Sequence, residues 1–351
     1  MTLVAGLSIG GAPAFVADML SSWRLRDVVA IPSQRAPGVF EGADGHFANG
    51  LAQKITIVRP YLMLAYAGSL SVAQKVIEEL DGALPKTAEE IAGYEDLFMA
   101  ILDRTPDTLE MVALYFDGDN IYPLCLHTRG YEIDGRRIYI LGSGRQVFFD
   151  YAVNMPGAIP NDETSDGLMA RAVMMRFAAN AMMSQWAAGY GLNESWGGGF
   201  EVAFTDESGF KKVDNILIRA WSIGPNDELG NIGTSFLQHY EGGDLHLTAF
   251  AEEAVTTVIP SFVPSSFPPL PKRREVIPEW TVDLIRCERH QSYVSAVQLE
   301  FPGSAGHAKF EFDNGALVGW QMDKSRLDAV IRKMNATLES GYGFTFGRLL
   351  S

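Results

Sequence analysis

The first residue in this chain whose chemistry stands out is Thr2, preceded only by Met1. Thr2 is small, so aminopeptidase removal of Met1 is expected and would leave a free α-amine on a hydroxyl-bearing residue. Such a residue is a self-contained catalytic unit, with Oγ as nucleophile and its own amine as base. The ordinary pKa of that amine, about 7.7–8.0, lies near operating pH. Three supports are then required. They are a cation to lower the pKa of the amine or hydroxyl, an acid to hold the cation, and N–H donors for the tetrahedral oxyanion. Asp18, Lys54 and Gly68 supply the acid, the cation and a backbone donor, in that order along the chain. Taken singly, each also has a plain structural reading as a strand end, a solvated strand start or a turn glycine.

These residues need a scaffold of strands and turns. Leu3–Ser8 and Ala12–Ala17 read as a hairpin around Gly10-Gly11, with Asp18 at the end of its second strand beside Thr2. The stretch from Arg24 to Gly50 is rich in Gly, Pro and polar residues and reads as a long loop. Lys54–Val58 and Tyr61–Tyr66 read as a second strand pair ending at Ala67-Gly68-Ser69. Leu70–Leu80 has helical spacing, and Thr87 with Glu90 forms a capping box that opens a helix through about Leu102. Strands are expected at Met111–Phe116, Asn120–Leu126 and Arg137–Leu141. A Met- and Ala-rich helix follows from Thr164 to Ala188, then strands at Phe200–Phe204 and Lys212–Trp221. Helices grouped between runs of strands indicate layered α+β packing rather than alternating βαβ units.

The tail differs. Six prolines fall within Ile259–Pro278, a linker-like composition. Beyond it Thr281–Arg286, Tyr293–Phe301 and Ala308–Phe312 read as strands, Asp313-Asn314-Gly315 as a turn and Lys324–Leu338 as a helix. The expected division is therefore 1–225 as the main domain, 226–279 as a connecting segment and 280–351 as a small α+β extension.

Composition narrows the function classes. The 351 residues carry a net charge of −15, which opposes phosphate backbones and anionic lipid. Nucleic acid and membrane are thus not expected partners. No Lys or Arg precedes Arg24, and Gly10-Gly11 interrupts the first apolar run, so a signal peptide is not expected and a cytoplasmic location is. Cys125 and Cys287 show no metal or redox spacing and read as reduced thiols. His239 and His246 flank Glu241 and Asp244, but the helical i, i+4 spacing of zinc ligands is absent, so neither a metal nor another cofactor is expected. Trp196-Gly197-Gly198-Gly199 has no following Lys-Ser/Thr and reads as a structural turn.

Together the ordered residues resemble the β-type subunits of the proteasome and their bacterial peptidase relatives. With Thr2 counted as first mature residue, Asp18 falls at the family's acidic position, Lys54 matches its lysine, and the spacing to Gly68 is kept. Ala67-Gly68-Ser69-Leu70-Ser71-Val72-Ala73-Gln74 resembles the family's helix opening. Gly142-Ser143-Gly144 resembles the turn whose serine supports the N-terminal amine. The likeness spans Thr2 to Trp221 and implies a four-layer αββα sandwich of the N-terminal-nucleophile (Ntn) hydrolase type, with a C-terminal α+β extension. It further implies a threonine peptidase using Thr2, Asp18, Lys54, Gly68 and Ser143, with Tyr66, Ser21 and Leu70 at the substrate pocket. A peptide or unfolded-protein substrate, a homo-oligomeric ring and an ATPase unfoldase partner follow from the same resemblance.

Two departures stand out. About twenty extra residues separate Asp18 from Lys54. Where the family places Asp and then Ser before a glycine pair, this chain has Asn193 and Trp196, with Glu194 and Ser195 as neighbours that a one-residue shift would bring in. A catalytically silent binding subunit and an amidohydrolase acting on a small amide are the alternative readings.

Overall fold

In the computed structural model the first two strands, β1 (Leu3–Ile9) and β2 (Ala12–Asp18), form the expected hairpin, almost wholly buried. The described residues are 2–34, 37–42, 45–85, 94–153, 166–189, 192, 196–223, 234–251, 253–261, 279–287, 292–299, 309–313, 316–321 and 344–346. Just before the stretch expected as a long loop, β3 (Leu20–Trp23) pairs with β4 (Phe47–Leu51), which takes up the end of that stretch. Then come β5 (Ile55–Arg59), β6 (Leu62–Gly68), helix α1 (Leu70–Ala83) and helix α2 (Tyr94–Asp103). The capping box at Thr87 and Glu90 lies outside the described residues.

Strands β7 (Leu109–Phe116) and β8 (Ile121–Leu126) complete an antiparallel sheet of order β5-β6-β7-β8. Strands β9 (Gly130–Ile133) and β10 (Arg136–Gly142) lead to α3 (Arg145–Val153), a helix beyond the elements expected from the sequence. The long helix α4 (Asp166–Ala188) precedes β11 (Phe200–Asp206) and β12 (Gly209–Lys212). A second antiparallel sheet results, of order β12-β11-β2-β1-β10-β9.

The architecture is α+β, and its apolar side chains collect in three main clusters. Val4, Phe15 and Ala17 of the β1–β2 hairpin meet Ile55, Met63, Ala65 and Val112 of the four-stranded sheet, so the two sheets pack face to face. Leu64, Tyr66 and Met111 on the other face of that sheet meet Ala73, Ile77 and Leu80 of α1. Leu3, Ala5 and Val16 meet α4 through Ala170, Val173 and Met174. These contacts follow from strand alternation, which sends Val4 to one face and Leu3 and Ala5 to the other.

Helix α4 carries buried apolar residues on more than one face because it is covered on two sides. Its other flank meets Ile216, Ile218, Phe236, Leu247, Trp280 and Val282. These belong to a third sheet, of order β16-β15-β14-β13-β17-β18-β21. Its strands are β13 (Ile216–Ile223), β14 (Ser235–Glu241), β15 (Asp244–Phe250), β16 (Ala254–Ile259), β17 (Trp280–Cys287), β18 (Ser292–Leu299) and β21 (Phe344–Phe346). A separate hairpin joins β19 (Lys309–Asp313) to β20 (Ala316–Gln321). Residues 226–279, expected as a connector, contribute three of these strands. The overlooked signal is period-2 alternation either side of Glu241-Gly242-Gly243-Asp244, a two-residue hairpin loop.

The sheet also crosses the boundary drawn at residue 225. β13 runs parallel to β17 over Ile216–Ile223, and the buried Arg219 guanidinium grips Asp283 through Nε at 2.7 Å and Nη2 at 2.8 Å. Trp221 Nε1 donates to the same carboxylate at 2.7 Å. The helix expected at 324–338 lies outside the described residues. No helix among those described is long and apolar enough to cross a membrane.

Because β17 lies inside the third sheet, residues 280–351 are expected not to be dispensable. A chain ending at residue 279 would leave β13 as an open edge, strip one cover from α4 and strand Arg219 without its carboxylate. It should be insoluble or bind hydrophobic dye without a cooperative melt. A soluble 1–279 chain melting like the full protein would contradict this.

Candidate active site

Asp18 sits at the last position of β2, opposite Phe200 of β11, and is fully buried. Its Oδ1 accepts the Leu3 amide at 2.8 Å and the Lys54 ammonium at 2.6 Å; its Oδ2 accepts the Gly197 amide at 2.8 Å. Lys54, equally buried just before β5, gives a further hydrogen bond to the Leu20 carbonyl at 2.6 Å. The cation is therefore one carboxylate oxygen away from the amide that follows Thr2. Burial pushes Asp18 above the usual carboxylate range, and the Lys54 charge and the three hydrogen bonds oppose it. Burial likewise holds Lys54 below the ordinary lysine value, opposed by Asp18 and then by Glu201.

Thr2 is held by the Gly142-Ser143-Gly144 turn, which enters beside it because Leu3 pairs with Gly142 in the β1–β10 register. The Thr2 backbone nitrogen donates to Ser143 Oγ at 3.2 Å, and the Thr2 carbonyl accepts from the Gly144 amide at 3.1 Å. The turn is braced from β7. Glu110 accepts from the Gly142 amide at 2.7 Å and from Arg145 at 2.8 Å. Glu110 pairs with Ala67, the residue before Gly68, which puts Gly68 at the same end of the two facing sheets as Thr2. Gly68 has φ +111°, and a Cβ there would lie 2.1 Å from the Thr108 carbonyl oxygen, so only glycine fits.

The residues expected at a substrate pocket are distributed differently from one another. Tyr66 is buried against α1, and its hydroxyl donates to the Gln53 carbonyl at 2.8 Å. Leu70 opens α1 and packs on the same cluster. Ser21 lies in β3, its hydroxyl donating to Asn49 Oδ1 at 3.3 Å on the exposed side. Asn193, Glu194 and Ser195 lie outside the described residues.

Several residues around this centre were not legible from spacing. The triglycine stretch read as a plain turn supplies the third donor to Asp18. Gly197 has φ +123°, and a Cβ would fall 1.8 Å from Gln185 Nε2, so the turn can pass Asp18 only as glycine. Gln185, buried on α4, accepts from Ser33 Oγ at 2.7 Å and from the Gly198 amide at 3.2 Å. Trp196, at the position where the resembled family places a serine, is fully buried in the α4 core, edge-on to Phe200. Its indole belongs to the packing.

A second buried carboxylate lies behind Lys54. Glu201 of β11 accepts the amides of Lys54 and Ile55, the latter at 2.7 Å, and pairs with Lys212 at 2.6 Å. Lys212 also donates to Gln53 Oε1, while Gln53 Nε2 reaches the carbonyls of Gly243 at 3.0 Å and Ile259 at 2.8 Å. The third sheet is thus tied to the residue next to Lys54. Burial, with the charges of Glu201 and Asp214, holds the Tyr240 phenol of that sheet well above its ordinary value.

A cavity of about 290 Å³ lies at the opposite end of β1, against Ser8, Pro13, Glu132, Arg137 and Tyr139, and is not beside Thr2. No protein-family model matches the sequence, and a search of curated proteins gives no significant match.

Lys54→Met should destabilise the protein by about 3–5 kcal/mol, the usual cost of leaving one member of a buried ion pair uncompensated. Adding Asp18→Asn should restore part of this. Full recovery is not expected, because an asparagine NH₂ would face either the Leu3 or the Gly197 amide donor. Urea unfolding of the single and double variants measures both effects.

Proposed function

We propose that this chain is an N-terminal-threonine hydrolase that cleaves peptide bonds. Its core would be a four-layer αββα sandwich like that of proteasome β-type subunits, extended by the third sheet. The observation that carries the reading is the buried Lys54–Asp18 pair, bound through Asp18 to the Leu3 amide. Buried ion pairs add little net stability and collect at sites where charge is used. Supporting it are the two packed sheets with α1 and α2 on one outer face and α3 and α4 on the other.

With Met1 removed, Thr2 Oγ attacks the scissile carbonyl carbon while the Thr2 α-amine takes the hydroxyl proton. The Lys54 cation lowers the amine's pKa and steadies the developing charge. The Gly68 N–H donates to the oxyanion. As the tetrahedral intermediate collapses, the C–N bond breaks and the amine returns its proton to the leaving group. An ester on Thr2 remains, and water then hydrolyses it. Ser143 orients the amine. The ring assembly, unfoldase and cytoplasmic setting implied by the resemblance belong to this same proposal.

A second reading is a binding subunit that does not cleave. Two observations favour it: Thr2 is only 3% exposed, and the buried indole of Trp196 fills the position at which the family places a serine.

Intact mass of the purified chain followed by a threonine-directed electrophile separates the two. The peptidase reading expects loss of Met1, an adduct on Thr2, peptide turnover, full loss in Thr2→Ala and partial activity in Thr2→Ser. Retained Met1, or a processed chain without adduct, favours the binding subunit. Active enzyme should give a bell-shaped kcat/KM profile. The acid limb reports the Thr2 amine, below its ordinary value of about 7.7–8.0. The alkaline limb reports loss of the Lys54 proton, and because burial depresses that pKa it must fall below 10.5.

A further inference from the structure

His239 and His246 are seven residues apart, a spacing that fits no helical zinc motif, yet β-sheet register makes them neighbours. In the β14–β15 hairpin His239 is directly opposite His246, and the chain reverses at Gly242-Gly243. Directly opposed residues of an antiparallel pair share a face, and so do residues i and i+2 of one strand. Glu241 therefore lies on the face that carries both imidazoles. The rings stack with centroids 4.9 Å apart and planes 24° from parallel. One ligand atom from each of His239, Glu241 and His246 lies within 4.8 Å of the others, all three residues being partly buried.

We propose that His239, Glu241 and His246 form a binding site for a divalent transition-metal ion, with zinc the best match. Two imidazole nitrogens select against magnesium and calcium, which take oxygen ligands. Zinc bonds of about 2.0–2.2 Å place tetrahedral ligand atoms about 3.3–3.5 Å apart, so side-chain rotations of roughly 1–1.5 Å close the set. A fourth position is left for water. Asp244, opposite Glu241, is engaged through Oδ1 by the Ser261 amide at 3.0 Å and holds the turn. The acidic chain, at net charge −15, further favours a cation.

The site has a structural role to play. A metal bridging β14 and β15 would pin the hairpin at the turn whose Gly243 carbonyl receives Gln53, the residue before Lys54. This holds whether or not Thr2 is a nucleophile.

The test is equilibrium dialysis of the untagged full-length chain against Zn²⁺, with Mg²⁺ and Ca²⁺ as comparison ions. The expected result is one zinc per chain, with affinity lowered at least about tenfold in each of His239→Asn and His246→Asn and lowered also in Glu241→Gln. His127→Asn should bind like the unmodified protein. Should a variant fail to fold, Co²⁺ on the unmodified chain gives an independent reading. A four- or five-coordinate visible spectrum displaced by Zn²⁺ supports the site. Absence of stoichiometric zinc, zinc binding unchanged in a folded His239→Asn/His246→Asn variant, or only the pale spectrum of octahedral cobalt overturns it.

Discussion

A carboxylate withdrawn from water costs several kcal/mol unless its oxygens meet donors, and Asp18 meets three: two backbone amides and an ammonium. That requirement organises the surrounding chain. The Leu3 amide fixes β1 beside the end of β2, the Gly197 amide draws in the turn before β11, and Lys54 anchors the approach to β5. Elements separated by up to 179 residues in sequence converge on one side chain. The packing of the two sheets brings them close; the need to satisfy Asp18 sets their final positions.

The same logic operates one layer back. Glu201 satisfies the amides of Lys54 and Ile55 and is itself neutralised by Lys212, which also reaches Gln53. Gln53 in turn hydrogen-bonds the third sheet. A path of buried polar contacts therefore runs from the Thr2 region to the β14–β15 hairpin. Networks of this kind are costly when half-satisfied and rigid when complete. The C-terminal residues support the same sheet, since β17 pairs with β13 and covers α4 from outside.

Much of the local structure was legible because it follows from short-range rules. The β1–β2 hairpin is announced by apolar strands around two glycines, α1 by its 3.6 period and α4 by an unbroken Met- and Ala-rich run. The strands from 235 to 259 and helix α3 were not separated from their connections. In the first case Gly, Glu and Asp at the turn resembled linker composition. In the second, α3 is only nine residues long and buries just Phe148 and Ala152, too short an apolar pattern to mark a helix. Trp196 and Gly197 illustrate the limit within the site. Trp196, at a position the resemblance makes polar, is core packing; Gly197, which reads as a plain turn, donates to the central carboxylate.

The sequence by itself determined which residues could do chemistry at Thr2, because nucleophile, acid and cation are properties of side-chain type and their order is linear. It also determined the alternation that sends Val4 to one face and Leu3 to the other. Only the tertiary structure decided that Asp18 and Lys54 share a buried contact, that Glu201 and Gln53 stand behind them, and that His239 meets His246. Those relations depend on strand register and sheet packing, which are set by many weak contacts between distant segments. Spacing along the chain does not encode them.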